Sequence, residues 1–505
     1  MDTEVLVTGA GPTGLMLACW LARLGVDHEV VDHQDGPTRE SRALAVQARS
    51  MEIYDQLGMV DAVRDRATWA PRLRPGWQSR PAPGAIPLGR LATRGTPYPG
   101  IHLLEQSVNE RLLAEHLGRL GGRVSWQHRL VDLTDHGDHV EAELDGPGGR
   151  RTVTARWCVG ADGASSAVRA AAGISFEGMT NPQTFWLADA HGVRGVSEAA
   201  VNVRLGPDSF LLTFPMGEPG HHRVIGVVPD PEEVPEQETL RAEVARDFGV
   251  EFDHSTWFTT YRVHHRVASR FRSGRVLLAG DAGHIHSPVG GQGMNTGLQD
   301  AHNLAFKLAD VSAGRADERL LDRYAEERMP VARRLVSTTD RLFAAVTDPS
   351  PRAVRLRRLL VPLLAPAVAT VLPRLPVAQR LAQYVGQIRI HYWMSAAERA
   401  RGRRDPVVGR RLPWTGANHA SLAAATWQVH AYGPQLPPLA GLPALVARTH
   451  RFDPREDLGL TPGRWLLVRP DGFVAAAAAP RDAAATFTSL LRAHGYHGAA
   501  VEPHR

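Results

Sequence analysis

The residues best placed to do chemistry are glycines. Gly9, Gly11 and Gly14 fall in Val5-Leu6-Val7-Thr8-Gly9-Ala10-Gly11-Pro12-Thr13-Gly14, between an apolar strand and a helix running from Leu15 to Leu24. In a G-x-G-x-x-G turn the first glycine permits the tight bend, the second lets backbone approach a pyrophosphate, and the third lets helix and strand pack closely. The phosphates then face the helix N-terminus, with its free N–H groups and positive dipole. A second apolar strand, Glu29-Val30-Val31, ends in Asp32, about 20 residues on, where an acid accepts the ribose 2′-hydroxyl and disfavours a 2′-phosphate. The expected nucleotide is the adenosine half of FAD or NAD rather than NADP, held by Gly9, Gly11, Pro12, Thr13, Gly14 and Asp32. The turn alone does not choose between FAD and NAD.

Two later stretches carry the same grammar of backbone approaching phosphate. One is Val159-Gly160-Ala161-Asp162-Gly163-Ala164-Ser165-Ser166-Ala167-Val168-Arg169. The other is Arg275-Val276-Leu277-Leu278-Ala279-Gly280-Asp281, continuing as His286-Ser287-Pro288-Val289-Gly290-Gly291-Gln292-Gly293-Met294-Asn295. In order and spacing the three resemble the fingerprint set of the flavin-dependent aromatic hydroxylases, the group-A monooxygenases related to para-hydroxybenzoate hydroxylase. Within that group the chain most resembles the bacterial aromatic polyketide hydroxylases. The resemblance takes in Leu321-Asp322-Arg323-Tyr324-Ala325-Glu326-Glu327-Arg328-Met329-Pro330 and continues more weakly to the C-terminus.

The resemblance implies FAD as cofactor and NADPH or NADH as a transient reductant. Asp162 and Gly163, with Ser166 and Arg169, match the motif associated with FAD and the reduced nicotinamide. Gly280 and Asp281 match the motif whose aspartate binds the FAD ribose. Gly291, Gly293, Met294 and Asn295 follow as flavin neighbours. They precede a helix through Leu298, Ala301, Leu304 and Leu308, whose free N–H groups would stabilise negative charge on the reduced flavin. Gln106 matches an FAD contact. Arg42 matches an arginine that touches FAD and follows its movement, and Pro288 a position whose backbone borders the reacting edge of the flavin. The chain departs from the pattern at His33, where relatives often carry arginine beside the ribose acid, and at Gly283, where alanine is usual.

The reaction implied is hydroxylation of a bulky phenolic or quinone-like polyketide, in antibiotic biosynthesis, through a C4a-hydroperoxyflavin formed from reduced FAD and O2. The cofactor carries such chemistry while the protein supplies orientation, electrostatics and a dry site, so few catalytic side chains are expected. The alternatives are an antibiotic-inactivating hydroxylase, an epoxidase or Baeyer–Villiger monooxygenase, and an FAD-binding partner protein without turnover. Trp186, Phe210, Phe214, His222 and Tyr261 are nominated for a substrate pocket between a β-sheet and the flavin. His264, His265, His284 and His286 cluster in sequence. His264 and His265 would face opposite sides of a strand and no Glu or Cys completes a set, so no metal is expected.

These residues need a frame, and 505 residues suffice for two or three domains. The expected fold class is α/β: a Rossmann-like FAD-binding domain of glutathione-reductase type, an inserted antiparallel β-sheet substrate domain, and a C-terminal thioredoxin-like domain. Residues 1–174 open the FAD-binding domain, with an excursion at 71–100 towards the substrate region. Residues 175–272 form the sheet, 273–340 close the FAD-binding domain, 341–409 are helical segment and linker, and 410–505 the last unit. That unit reads strand, turn, strand over Trp465–Val474 and is expected to be a packing or dimer-supporting appendage. Without a Cys-x-x-Cys it has no dithiol chemistry.

Composition narrows the class. The net charge of +5 is carried almost wholly by arginine, Lys307 being the single lysine. Arg352, Arg355 and Arg358 share a helix face with no aromatic interleaved, which reads as a solvated face rather than a nucleic-acid stripe. The apolar run Leu359–Pro373 is interrupted by Pro362 and Pro366 and falls short of the ~20 residues of a bilayer span. It is expected to pack as a kinked helix, with no membrane involved. Cys19 and Cys158 suit a reducing cytoplasm, no signal peptide is expected before the first strand, and a homodimer stays open.

Overall fold

A computed structural model describes residues 1–39, 43–91, 95–228, 236–286, 291–348, 350–392, 400, 405–436 and 438–497. At 181, 182 and 339–347 only the backbone is described. The sheet carrying the first motif is parallel at its centre. β1 (Thr3–Thr8) lies between Gly149–Gly160 and β2 (His28–Val31), and the parallel set is extended by Val276–Leu278 on one side and Val124–Ser125 on the other. Val5, Leu6 and Val7 are wholly buried, as a parallel strand covered on both faces requires. α1 (Pro12–Arg23) buries Leu15, Leu17 and Leu21 and packs along the long helix Gly293–Ser312. The three glycine motifs therefore sit at the C-terminal ends of neighbouring parallel strands, where open α/β sheets place their ligand crevice.

A second sheet has eight strands. Their order is His284–Ile285, His254–Ala268, Phe176–His191, His222–Val227, Phe210–Pro215, Val201–Leu205, Leu73–Trp77 and Arg80–Pro81. The expected 175–272 unit is thus not self-contained. The 71–100 excursion supplies two strands, and Leu73–Trp77 joins parallel to Val201–Leu205, so the sheet is mostly but not wholly antiparallel. The helix Gln237–Phe248 packs Leu240, Val244 and Phe248 on Trp186, Ala188 and Val224, while the other face carries Phe185, Leu187, Phe210 and Ile225.

The last unit has four strands in the order Val446–Phe452, Trp427–Tyr432, Arg464–Val468 and Val474–Ala478, followed by the helix Pro480–Ala493. The first two are parallel and the remaining pairings antiparallel. Among the described residues no helix joins the parallel pair across 433–445. The unit is no loose appendage, because buried charge fastens it to the first sheet's helices. Arg469 donates to both carboxylate oxygens of Glu327, at 2.7 and 2.9 Å, and also pairs with Asp471. Lys307 reaches Glu327 at 2.9 Å, and burial brings its pKa down to about 8 although Glu327 opposes this. Arg411 pairs with the buried Glu52 at 2.9 Å, and Gln56 donates to the carbonyls of Leu422 and Pro470.

The segment expected to pack as a kinked helix does form helices, Pro351–Thr370 and Pro376–Val385, with Pro362 and Pro366 inside the first. It does not pack its leucines. The buried positions of the first helix are Arg357, Ala365 and Ala369, and the large apolar side chains stand in solvent.

Removing one partner of a buried ion pair leaves the other uncompensated, at about 3–5 kcal/mol. Arg469→Met should therefore lower unfolding free energy by about that much in denaturant titration. Arg481→Met, at a side chain 87% exposed, should leave it within about 0.5 kcal/mol.

Candidate functional site

Thr13 marks the meeting point of the first and third motifs. A Cβ on either Gly280 or Gly297 would collide with its Oγ1. The first and second motifs meet at Gly9, which adopts φ +101°; a Cβ there would lie 2.7 Å from the Asp162 amide nitrogen, and one on Gly14 would collide with the Gly9 carbonyl. Gly11 differs from these. Nothing stands within 4 Å of where its Cβ would be, and α1 begins beside it with no side-chain cap. Uncapped first-turn amides under open space form a cradle for an anion.

Asp32 borders that cradle. Its Oδ2 accepts the Ala10 N–H at 2.6 Å and its Oδ1 the Gln34 N–H at 2.8 Å. A carboxylate offers about four lone-pair sites, so acceptor capacity remains for a ribose. His33, the departure beside it, is half exposed and 3.3 Å from the same carboxylate. Gln106 opens the helix Gln106–Arg119 and donates to Glu110 Oε1 at 2.9 Å, while Glu110 Oε2 accepts the Thr38 N–H at 2.7 Å. Burial raises the Glu110 pKa above the usual carboxylate range. Glu110 was missed in the sequence, where its one signal is the i,i+4 spacing from Gln106.

The second motif is wired to the third. Asp162 accepts from the Ser166 hydroxyl at 2.5 Å and the Val168 amide at 3.1 Å, and burial raises its pKa. Gly163 turns the chain at φ +79°. Arg169 donates to the carbonyls of Ala282 and Ala164, and its guanidinium lies 3.9 Å over the Phe176 ring. These partners occupy Asp162 and Arg169 within the protein. Asp281 is exposed in the turn Gly280–Ala282. Gly291, at φ +60°, lies against Ala45, and Asn295 bridges the two segments through the Ala45 and Gly291 carbonyls and the Gln47 amide, each at 2.7 Å. Gly293 opens its helix without a side-chain cap, and Met294 Sδ accepts from Asn109 at 3.5 Å. Arg42 and Pro288 lie outside the described residues.

The nominated substrate residues divide between two faces. Phe210 and Tyr261 stand with Phe185 on one face, and Phe214 continues that face into a cluster with Ala45, Ile101 and Leu103. Ala45 is the residue under Gly291, so this face runs on to the third motif. Trp186 and His222 belong to the opposite face. Trp186 is buried under the helix Gln237–Phe248, beside Gly226, and His222 pairs in register with Ala190 of the same face. The pairing register, which alternation along one strand cannot give, puts them there.

The family model for the FAD binding domain matches residues 2–339. The chain belongs to this family. The 6-methylpretetramide 4-monooxygenase of Streptomyces rimosus is 35% identical over 539 aligned positions, spanning 97% of this chain and 93% of the relative. Among solved structures, the anhydrotetracycline hydroxylase OxyS of Streptomyces rimosus gives a TM-score of 0.77 at 29% identity, covering 99% of this chain and 100% of that one. The Diels-Alderase PyrE3 of pyrroindomycin biosynthesis gives the same score, identity and coverage. The protein is an FAD-dependent monooxygenase of mixed α/β fold, with several sheets and a FAD-binding domain of aromatic-hydroxylase type.

The site fits FAD by its own geometry, through the open cradle at Gly11, the acid at Asp32 and the uncapped helix at Gly293. The monooxygenase fastens that last helix through Arg328, which lies in the Leu321–Pro330 stretch and is wholly buried. Arg328 donates to Asp300 Oδ1 at 2.5 Å, to the Tyr392 hydroxyl at 2.6 Å and to the Thr296 carbonyl in the helix's first turn. Asp300 Oδ2 accepts from the Gly280 amide and lies 2.6 Å from His284 Nε2. Burial would raise the Asp300 pKa, but Arg328 and His284 outweigh it and hold the group below the usual range.

Gly11→Ala separates ligand space from folding space. The apo variant should melt within about 2 °C of the parent. Its FAD affinity, read by quenching of flavin fluorescence, should fall at least about tenfold, which is about 1.4 kcal/mol. Asp32→Asn should weaken FAD by about ten- to a hundredfold in the same titration, the range for a hydrogen bond to a charged group.

Proposed function

We propose that this monooxygenase hydroxylates a bulky phenolic or quinone-like polyketide, taking electrons from NADPH or NADH and one oxygen atom from O2. The observation that carries the reading is the aromatic face of Phe185, Phe210, Phe214 and Tyr261, whose Phe214 also packs against the cluster of Ala45 beside Gly291. A flat, apolar, many-ringed molecule is the ligand such a wall suits. Relatives that act on 6-methylpretetramide and anhydrotetracycline support the same substrate class.

FAD, when bound and reduced, supplies oxygen activation at an electron-rich ring carbon. The remaining tasks fall to the chain. The amides over Gly11 and Thr13 with Asp32 hold the adenosine diphosphate half, and the uncapped turn at Gly293 meets negative charge on the flavin. Asn295 keeps that turn fixed to the strand at Ala45. Arg223, wholly buried, grips Asp189 with two bonds of 2.7 Å and lies 3.5 Å from Glu105, which precedes Gln106. It thereby braces the substrate sheet against a cofactor-side helix. Arg42 and Pro288 remain the candidates nearest the reaction, by resemblance. The division into FAD-binding, substrate and C-terminal domains follows the same reading. The strand order of the last unit supports a thioredoxin-like topology, with no α-helix in either of the two crossovers among the described residues.

A second reading, conversion without net oxidation, is favoured by one observation: the Diels-Alderase relative covers the whole chain at the same TM-score as the hydroxylase. The two separate cleanly. Purified holoprotein should oxidise NADPH or NADH faster when a phenolic polyketide is added, and should yield a product heavier by one oxygen. An isomer of unchanged mass, formed without nucleotide oxidation, would sink the monooxygenase assignment for that substrate.

A further inference from the structure

The helices Pro351–Thr370 and Pro376–Val385 carry their large side chains in water. Leu356, Leu359 and Leu363 are 58, 65 and 68% exposed, and Val371 and Val377 are 50 and 52%. The side turned to the protein is the one with Arg357, Ala365 and Ala369. Arg357 donates to the Pro207 carbonyl at 2.8 Å, and Ala369 lies beside Gly84 at the edge of the eight-stranded sheet. Large apolar side chains exposed one after another along a segment of a folded protein mark an interaction site. Over Pro351–Arg374 the segment is long and apolar enough to cross a membrane by length and composition. Attachment along one side, together with Pro362 and Pro366 inside the helix, fits lying on a surface rather than spanning it.

Charge decides what covers the face. Residues 351–390 contain no Asp or Glu, while Arg352, Arg355, Arg358, Arg374, Arg380 and Arg389 are all exposed. A two-fold contact between copies sets a patch against itself, so here arginine would meet arginine with no acid to pair. An anionic lipid surface accepts both features: leucines enter the acyl boundary while guanidinium groups stay among the phosphates. We propose that residues 351–385 dock the protein, in the plane of the interface, on an anionic membrane surface. This replaces the expectation of a helix packed within the fold, and it holds independently of the substrate.

The test is sedimentation of the full-length FAD-loaded protein with vesicles of phosphatidylcholine plus phosphatidylglycerol, against phosphatidylcholine alone, over a salt series. The protein should pellet with the anionic vesicles only and be released as salt rises. Leu359→Glu with Leu363→Glu, and separately Arg352→Glu with Arg355→Glu and Arg358→Glu, should each weaken binding by about tenfold or more. FAD content and melting temperature should not move, since these side chains are exposed. No pelleting with anionic vesicles at low salt would overturn the proposal, and so would equal pelleting with neutral ones. A dimer in light scattering that the Leu359→Glu, Leu363→Glu variant converts to monomer would assign the face to a second copy instead.

Discussion

Everything in the cofactor half of this protein depends on what is missing around Thr13. Helix α1 approaches the turn at Gly280 and the helix at Gly297 so closely that neither position has room for a Cβ, the segment at Ala161 and Asp162 closes Gly9 to one, and the Gly9 carbonyl closes Gly14. Three segments more than a hundred residues apart in sequence are thereby held at the ends of adjoining parallel strands. Gly11, in the same turn, has nothing within 4 Å of where its Cβ would be, and neither does Gly163 of the second motif. Open space over an uncapped helix start is a place where a helix N-terminus favours an anion.

Around that centre, buried charges join the apolar core in tying the segments together. Asp300 and Arg328 join the Gly280 turn to the first turn of the flavin-facing helix, and Glu327, the residue before Arg328, binds Arg469 and Lys307. One stretch of helix thus joins the Asp300–Gly280 network on one side and the C-terminal unit on the other. Buried pairs of this kind contribute little net stability against an apolar replacement, yet losing one partner is costly. The arrangement fixes how the units sit rather than how strongly they fold. The C-terminal unit, without any thiol, supplies Arg469 to the buried Glu327.

Much of this was legible in the residues. Val5–Val7, the glycine turn and Asp32 specify a parallel strand, a helix start and a ribose acceptor at fixed offsets, and the structure sets Asp32 against Ala10 of that turn. Phe210 and Phe214, four apart on one strand, share a face as period-two geometry demands. Trp186 and His222 show the limit, since their face is set by cross-strand register, a long-range quantity. The strands at 73–81 were hidden by proline and glycine, and the Asp300–Arg328 pair by the general rule that charges stay outside. The leucines of 356–364 mislead most, because apolar composition normally predicts burial and here accompanies a surface.

Convergent backbone segments that hold one FAD in each chain make flavin content the direct measurement: the visible spectrum of the purified and reconstituted protein, and the FAD it releases on denaturation. The expected result is a yellow protein with one FAD released per chain. A colourless protein that takes up no FAD on reconstitution, while folded by circular dichroism, would contradict it.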